Sequence, residues 1–65
     1  MPVVIVKITE GANKEQKRRV IAGITEVLKQ EMGKNPETTH VIIEEIPVDC
    51  WGMRGKTVEE IRAGK

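Results

Sequence analysis

A proline in second position, Pro2, directly precedes the apolar run Val3-Val4-Ile5-Val6. Initiator methionine is commonly trimmed when the next residue is small. Once Met1 is gone, Pro2 presents a free secondary amine, the one kind of backbone nitrogen that acts as a base. An α-amino group titrates at roughly pH 8 when unperturbed. Anchored at the start of a buried strand, it would be desolvated, which disfavours the charged form and lowers its pKa. A base poised near working pH is what general acid–base proton transfer requires. While Met1 remains attached, the same nitrogen is an amide without basicity. Pro2 alone leaves two readings open: a Met-Pro start with no chemical role, or Met1 removal and proton transfer at the freed amine.

The other residues that could do chemistry are few. His40 is the only histidine, Cys50 the only cysteine and Trp51 the only one of Phe, Trp and Tyr. One histidine and one cysteine ten residues apart do not make a structural zinc site, and no metal or organic cofactor is called for. A lone cysteine excludes an intrachain disulfide and fits a reducing cytosol. Cys50 has no base at catalytic spacing and reads as inert. Glu44, Glu45 and Asp49 could activate a water molecule, or could simply be solvated or paired. Lys14, Lys17, Arg18 and Arg19 cluster at the start of a helix and read as a solvated face.

The elements that must position these groups follow from hydrophobic period and punctuation. Val3 to Ile8 is a nearly continuous β-branched run, which predicts a strand with both faces buried. Glu10-Gly11-Ala12 is a turn, and Asn13 with Gln16 forms a capping box. Val20, Ile21, Ile24, Val27, Leu28 and Met32 fall on one face of the helix that follows, ended by Gly33. Lys34 to Glu37 is a loop. His40 to Ile46 is a second strand, and two strands joined by a helix of about five turns pair in parallel. Pro47 to Trp51 is a loop and Gly52-Met53-Arg54-Gly55 a flexible turn. Thr57 and Glu60 cap a short terminal helix carrying Val58 and Ile61. The fold class is α/β (α+β): a single β-α-β unit over residues 1–65, with two parallel strands and a crossover helix.

Size and composition add a constraint. A chain of 65 residues sits below the roughly 70–80 at which one core suffices, and some staple is usual. Disulfide, metal and large aromatic side chains are all excluded as staples. One helix covers one face of a sheet that is apolar on both, so another subunit must cover the second, and a homo-oligomer is expected. Eleven basic and ten acidic residues are interspersed, for a net charge of +1, which argues against nucleic acid as a partner. No stretch approaches the ~20 apolar residues of a membrane span and no signal peptide is visible, so a cytoplasmic location is expected, with no membrane partner.

Four segments in register carry a resemblance. Pro2-Val3-Val4-Ile5-Val6-Lys7-Ile8, Glu10-Gly11 with Lys14-Glu15-Gln16-Lys17, Val41-Ile42-Ile43-Glu44-Glu45, and Trp51-Gly52-Met53-Arg54-Gly55 together resemble the 4-oxalocrotonate tautomerase family over essentially the whole chain. The resemblance implies the β-α-β fold of that superfamily and a homohexamer built as a trimer of dimers. It also implies enol–keto tautomerisation of a small-molecule substrate, a 2-oxo acid or its enol, with Pro2 carrying the proton. Trp51 matches the aromatic residue that walls the pocket and keeps the amine dry. Two positions depart from the family pattern. Ala12 stands where an arginine holds the distal carboxylate of a diacid, and His40 where an arginine polarises the substrate carbonyl. Arginine offers a permanent bidentate cation; alanine offers none, and histidine is partly charged near neutrality. Losing one charge-assisted contact costs roughly 1.5–3 kcal/mol, so the usual diacid is disfavoured and a substrate with one carboxylate is expected. His40 can still donate a hydrogen bond to a developing oxyanion, or be satisfied at a subunit interface. Arg54, in place of a glycine of the turn, either reaches the pocket mouth or stays in solvent. Lys7 reads as structural. The competing functions are a hydratase or dehalogenase on the same scaffold, and a non-catalytic oligomer subunit that has lost the pocket arginines.

Overall fold

The structure, a computed structural model, describes residues 1–64. The first β-branched run folds as strand β1, Val3–Thr9, and the second as β2, His40–Ile46. They pair in parallel with Val3 opposite His40, Ile5 opposite Ile42 and Thr9 opposite Ile46. Helix α1, Lys14–Met32, joins them. Its start is set by the reciprocal Asn13–Gln16 capping box, both bonds of which are made, at 2.9 and 2.8 Å. Its end is set by Gly33, whose left-handed φ of 64° lets its N–H reach back to the carbonyls of the last turn. The connection to β2, read from sequence as plain loop, contains a 3-10 turn over Pro36–Thr38, where Pro36 and the Asn35 side chain, which accepts from the Glu37 N–H at 3.0 Å, supply the N-terminal signals.

The C-terminal part corrects a second expectation. Gly52 to Gly55 is not a flexible turn. Gly52–Met53 and Lys56–Thr57 form an antiparallel hairpin, β3 and β4. Its two turn residues, Arg54 and Gly55, both have positive φ, 56° and 76°, as the two-residue turns that match strand twist require. Arginine in the first of those positions, where Asn or Gly is usual, is what hid the hairpin in the sequence. Helix α2, Val58–Arg62, follows at once, capped by Thr57 and Glu60 as expected.

Burial alternates along the strands. Val4, Val6 and Ile8 are half-buried on the helix side, whereas Val3 and Ile5 on the opposite side are 57% and 52% exposed, and Ile42 beside them 46%. Both faces of the sheet are apolar, but only one is covered. The apolar face of α1 is likewise wider than two strands can cover: Ile24 and Leu28 are half-buried, while Val20, Ile21, Val27 and Met32 stay exposed. The only buried hydrophobic side chain among the described residues is Val58. The Cα radius of gyration is 15.1 Å, with extents of 46 × 23 × 15 Å, against roughly 11 Å for a compact chain of this length. The accessible surface is 5008 Å², about 800 Å² above the ~4,200 Å² expected of a compact monomer of this mass.

Candidate active site

Pro2 is half-buried at the entry to β1, and its carbonyl accepts the His40 N–H at 3.0 Å. Parallel pairing produces this neighbourhood: Val3 opposite His40 puts the residue before β1 beside the first residue of β2. The start of the sheet therefore brings together the backbones of two of the residues named from sequence, Pro2 and His40.

Trp51 and Arg54 lie elsewhere. Trp51 is half-buried and held by the fold-back of the C-terminal segment. Its carbonyl accepts the Val58 N–H at 2.8 Å, and the Val48 carbonyl accepts the Glu59 N–H at 3.1 Å. It lines two adjoining clefts, both of which include Lys7 of β1. Lys7 is five residues beyond Pro2 along an extended strand, so at ~3.3 Å per residue the two ends are roughly 17 Å apart. Arg54 sits at the hairpin tip, beside a cavity of about 330 Å³ shared with Lys56, Ile61 and Gly64. One chain thus carries Pro2 at one end of the sheet and Trp51 towards the other.

Ala12, the other departure, lines an apolar cavity of about 440 Å³ between β1 and α1, with Val6, Val20 and Ile43 among its walls. Arg19 borders the same cavity but is engaged by Glu15 at 3.2 Å. The Arg18 guanidinium also grips Glu15, at 2.5 Å, and together with Arg19 holds that carboxyl below its ordinary range. Two carboxylates of β2 are paired. Glu44 pairs with Lys7 at 3.9 Å and Glu45 with Lys17. The charge of the adjacent Asp49 pushes the Cys50 thiol up. A thiol raised in this way is a poor nucleophile, as the sequence reading expected of Cys50. No group of three or more His, Cys, Asp or Glu that could hold a metal ion occurs among the described residues. No helix among them is long and apolar enough to cross a membrane.

One side chain near Trp51 went unread in the sequence. Arg62, at the end of α2, donates from Nη2 to Thr9 Oγ1 at 3.2 Å and lines a cleft of about 410 Å³ with Lys7, Trp51 and Met53. No local pattern signals this; the contact spans 53 residues and exists only because hairpin and α2 fold back on β1.

A parallel β-α-β unit with a proline at the mouth of its first strand, followed by a short hairpin, is an arrangement shared with known proteins. The family model described as "Tautomerase enzyme" matches residues 2–61. The chain is 49% identical over 63 residues to the probable tautomerase K2 of Dickeya dadantii, covering 95% of this chain and 94% of that one. It is 38% identical over 61 residues to a 2-hydroxymuconate tautomerase of Bacillus subtilis, covering 94% and 98%. Among solved structures, TomN, a 4-oxalocrotonate tautomerase homologue of the tomaymycin biosynthetic pathway, superposes with a TM-score of 0.93 at 29% identity over 95% of both chains. The chain belongs to the 4-oxalocrotonate tautomerase family.

Proposed function

We propose that this tautomerase catalyses enol–keto tautomerisation of a small 2-oxo acid, with the free amine of Pro2, exposed by loss of Met1, as general base and acid. The neutral secondary amine takes the proton of the enol hydroxyl at C2. The C2–C3 double bond becomes the C2 carbonyl as the electron pair moves to C3, and the protonated amine returns its proton to C3. Atoms and charge balance without cofactor or metal. His40, next to Pro2, donates a hydrogen bond to the oxygen where negative charge develops, a contact that lowers the barrier because it strengthens along the reaction. Trp51 of a neighbouring copy walls the amine from water and so keeps its pKa low, and Arg54 supplies a cation at the pocket mouth.

The observation that carries this reading is the position of Pro2 in a chain of this family: at the mouth of β1, half-buried, its carbonyl fixed by the His40 N–H. Assembly is part of the same proposal. The uncovered apolar face, the excess surface and the separation of Pro2 from Trp51 all favour a homo-oligomer, most simply six chains as a trimer of dimers, working in the cytoplasm as a single 1–65 domain per chain. Water addition, as in a hydratase or dehalogenase, is disfavoured because Glu44 and Glu45, two of the carboxylates that could activate water, are paired with Lys7 and Lys17. The test is ketonisation of the enol of a simple 2-oxo acid by wild type and Pro2→Ala, with intact mass establishing that Met1 is gone. Loss of at least a hundredfold in kcat/KM is expected. Equal turnover by both proteins sinks the proline mechanism, and no turnover by either makes the chain a non-catalytic subunit.

A further inference from the structure

The cleft beside Trp51 combines apolar walls with cationic side chains. Its volume is about 410 Å³ and its walls are mostly apolar, with Trp51, Met53 and Ile61 among them. Only two charged side chains line it, Lys7 and Arg62, and both are cations; no carboxylate among the described residues does. Cavities of roughly 300–1,000 Å³ with apolar walls and a few convergent polar groups are the usual form of small-molecule sites. The two cations are not equivalent. Lys7 is opposed by Glu44, at 3.9 Å and with both side chains largely solvated. Arg62 makes no ion pair among the described residues; its guanidinium is instead aimed by a hydrogen bond from Nη2 to Thr9 Oγ1, 3.2 Å long. A guanidinium tethered through one nitrogen keeps its other donors for a planar, bidentate partner, which a carboxylate is. Trp51 offers a flat face for stacking and Met53 a deformable thioether that suits an unsaturated body.

We propose that Arg62, assisted by Lys7, is the carboxylate-recognising group of this cleft, and that the cleft takes a small monoanion with a flat apolar body. The proposal rests on the reading of Trp51 as a pocket wall. It deepens that reading by naming the substrate class: a carboxylate bound by Arg62, with an unsaturated or aryl tail between Trp51 and Met53. It also says where the charge missing at Ala12 and His40 has gone.

Trp51 is the only tryptophan in the chain, so intrinsic fluorescence reports occupancy of the cleft without any need for turnover. The probes are phenylacetate, its neutral isostere phenylacetamide, and fumarate, a dianion without an aryl body. In wild type, saturable quenching by phenylacetate is expected at concentrations roughly 10- to 100-fold below those needed for phenylacetamide, the value of one charge-assisted contact, with fumarate weaker than phenylacetate. Arg62→Gln can still donate to Thr9, so the cleft should stay built; it should weaken phenylacetate by a similar factor and leave phenylacetamide where it was. Arg62→Lys should recover part of the loss, and Lys7→Gln should cost less than Arg62→Gln. Equal binding of acid and amide by wild type overturns the proposal, as does an Arg62→Gln protein that binds phenylacetate like wild type. Because the acid–amide comparison is made in wild type, it stands even if a variant fails to fold. Pro2→Ala separates the two claims. Retained phenylacetate binding with lost turnover supports both, whereas lost turnover without any selective binding in either protein leaves the proline mechanism standing and removes this one.

Discussion

Replacing Ile5 by aspartate tests whether the open face of the sheet is an interface. Ile5 is 52% exposed on that face, opposite Ile42. In an isolated chain the change would cost little, because both side chains already meet water. In an assembly that covers the face, about half an isoleucine's surface, on the order of 80–90 Å², is withdrawn from water, and at ~25 cal/mol per Å² that is worth ~2 kcal/mol per chain. The introduced carboxylate adds a desolvation penalty unless it pairs. The cation two residues along, Lys7, already faces Glu44. Since ~1.4 kcal/mol is tenfold in an equilibrium constant, each symmetry-related contact weakens by at least about 30-fold, and a closed assembly loses several at once. Sedimentation velocity over a concentration series, with circular dichroism on the same samples, reads the effect. Wild type should sediment as a stable oligomer, with interfaces totalling more than about 2,000 Å² as obligate assemblies show. Ile5→Asp should shift to smaller species and lose turnover in parallel. A wild type that is a folded monomer at micromolar concentration refutes the reasoning, as does an Ile5→Asp protein with the wild-type dissociation profile.

Other perturbations read out separate parts of the account. Arg54→Gly relieves a left-handed residue that costs about 1–2 kcal/mol, less the entropy gained by the unfolded chain; thermal melting should rise by a few degrees while KM for a carboxylate substrate worsens. Glu15, held low first by Arg18, contributes to helix stability above its ordinary carboxylate range and loses that contribution as pH falls through its lowered pKa. Wild type should therefore out-melt Glu15→Gln at neutral pH and converge with it in acid, and added salt should shrink the gap, as expected for a solvent-exposed pair. Ala12→Arg should mainly lower KM for a diacid enol, since gripping a remote carboxylate is uniform binding. His40→Arg should mainly raise kcat if, as proposed, this position meets the developing oxyanion; steady-state kinetics of both variants on a diacid and a monoacid enol checks the split.

Much of this molecule can be read from its residues, for identifiable reasons. Asn13 with Gln16, Gly33, and Thr57 with Glu60 are local signals whose partners lie within a few residues; both helices start, and α1 stops, where those signals put them. The two β-branched runs are long enough to name as strands, and an intervening helix of 19 residues makes them parallel. The hairpin was not legible, because Arg54 occupies a left-handed position that its residue type does not advertise. Nor was the extent of exposure: the helix pattern gives the apolar stripe but not how little of it a two-stranded sheet covers. Site geometry was the least legible. Pro2 beside His40 follows from strand register, which the pattern implied. The distance from Pro2 to Trp51, and the approach of Arg62 to Thr9, depend on where residues 51–62 fold back, and nothing local encodes that.

The central claim is that the nitrogen of Pro2 is the proton carrier, and a nitrogen-15 NMR titration of proline-labelled protein measures that atom directly. The account predicts a secondary-amine resonance from Met1-free protein. Its pKa should lie below the roughly 7.7–8.0 of an ordinary α-amino group and coincide with the ascending limb of kcat/KM against pH, since the neutral amine is the active base. An active preparation in which Met1 is retained and Pro2 is an amide would contradict it, and so would an amine whose titration leaves the rate unchanged.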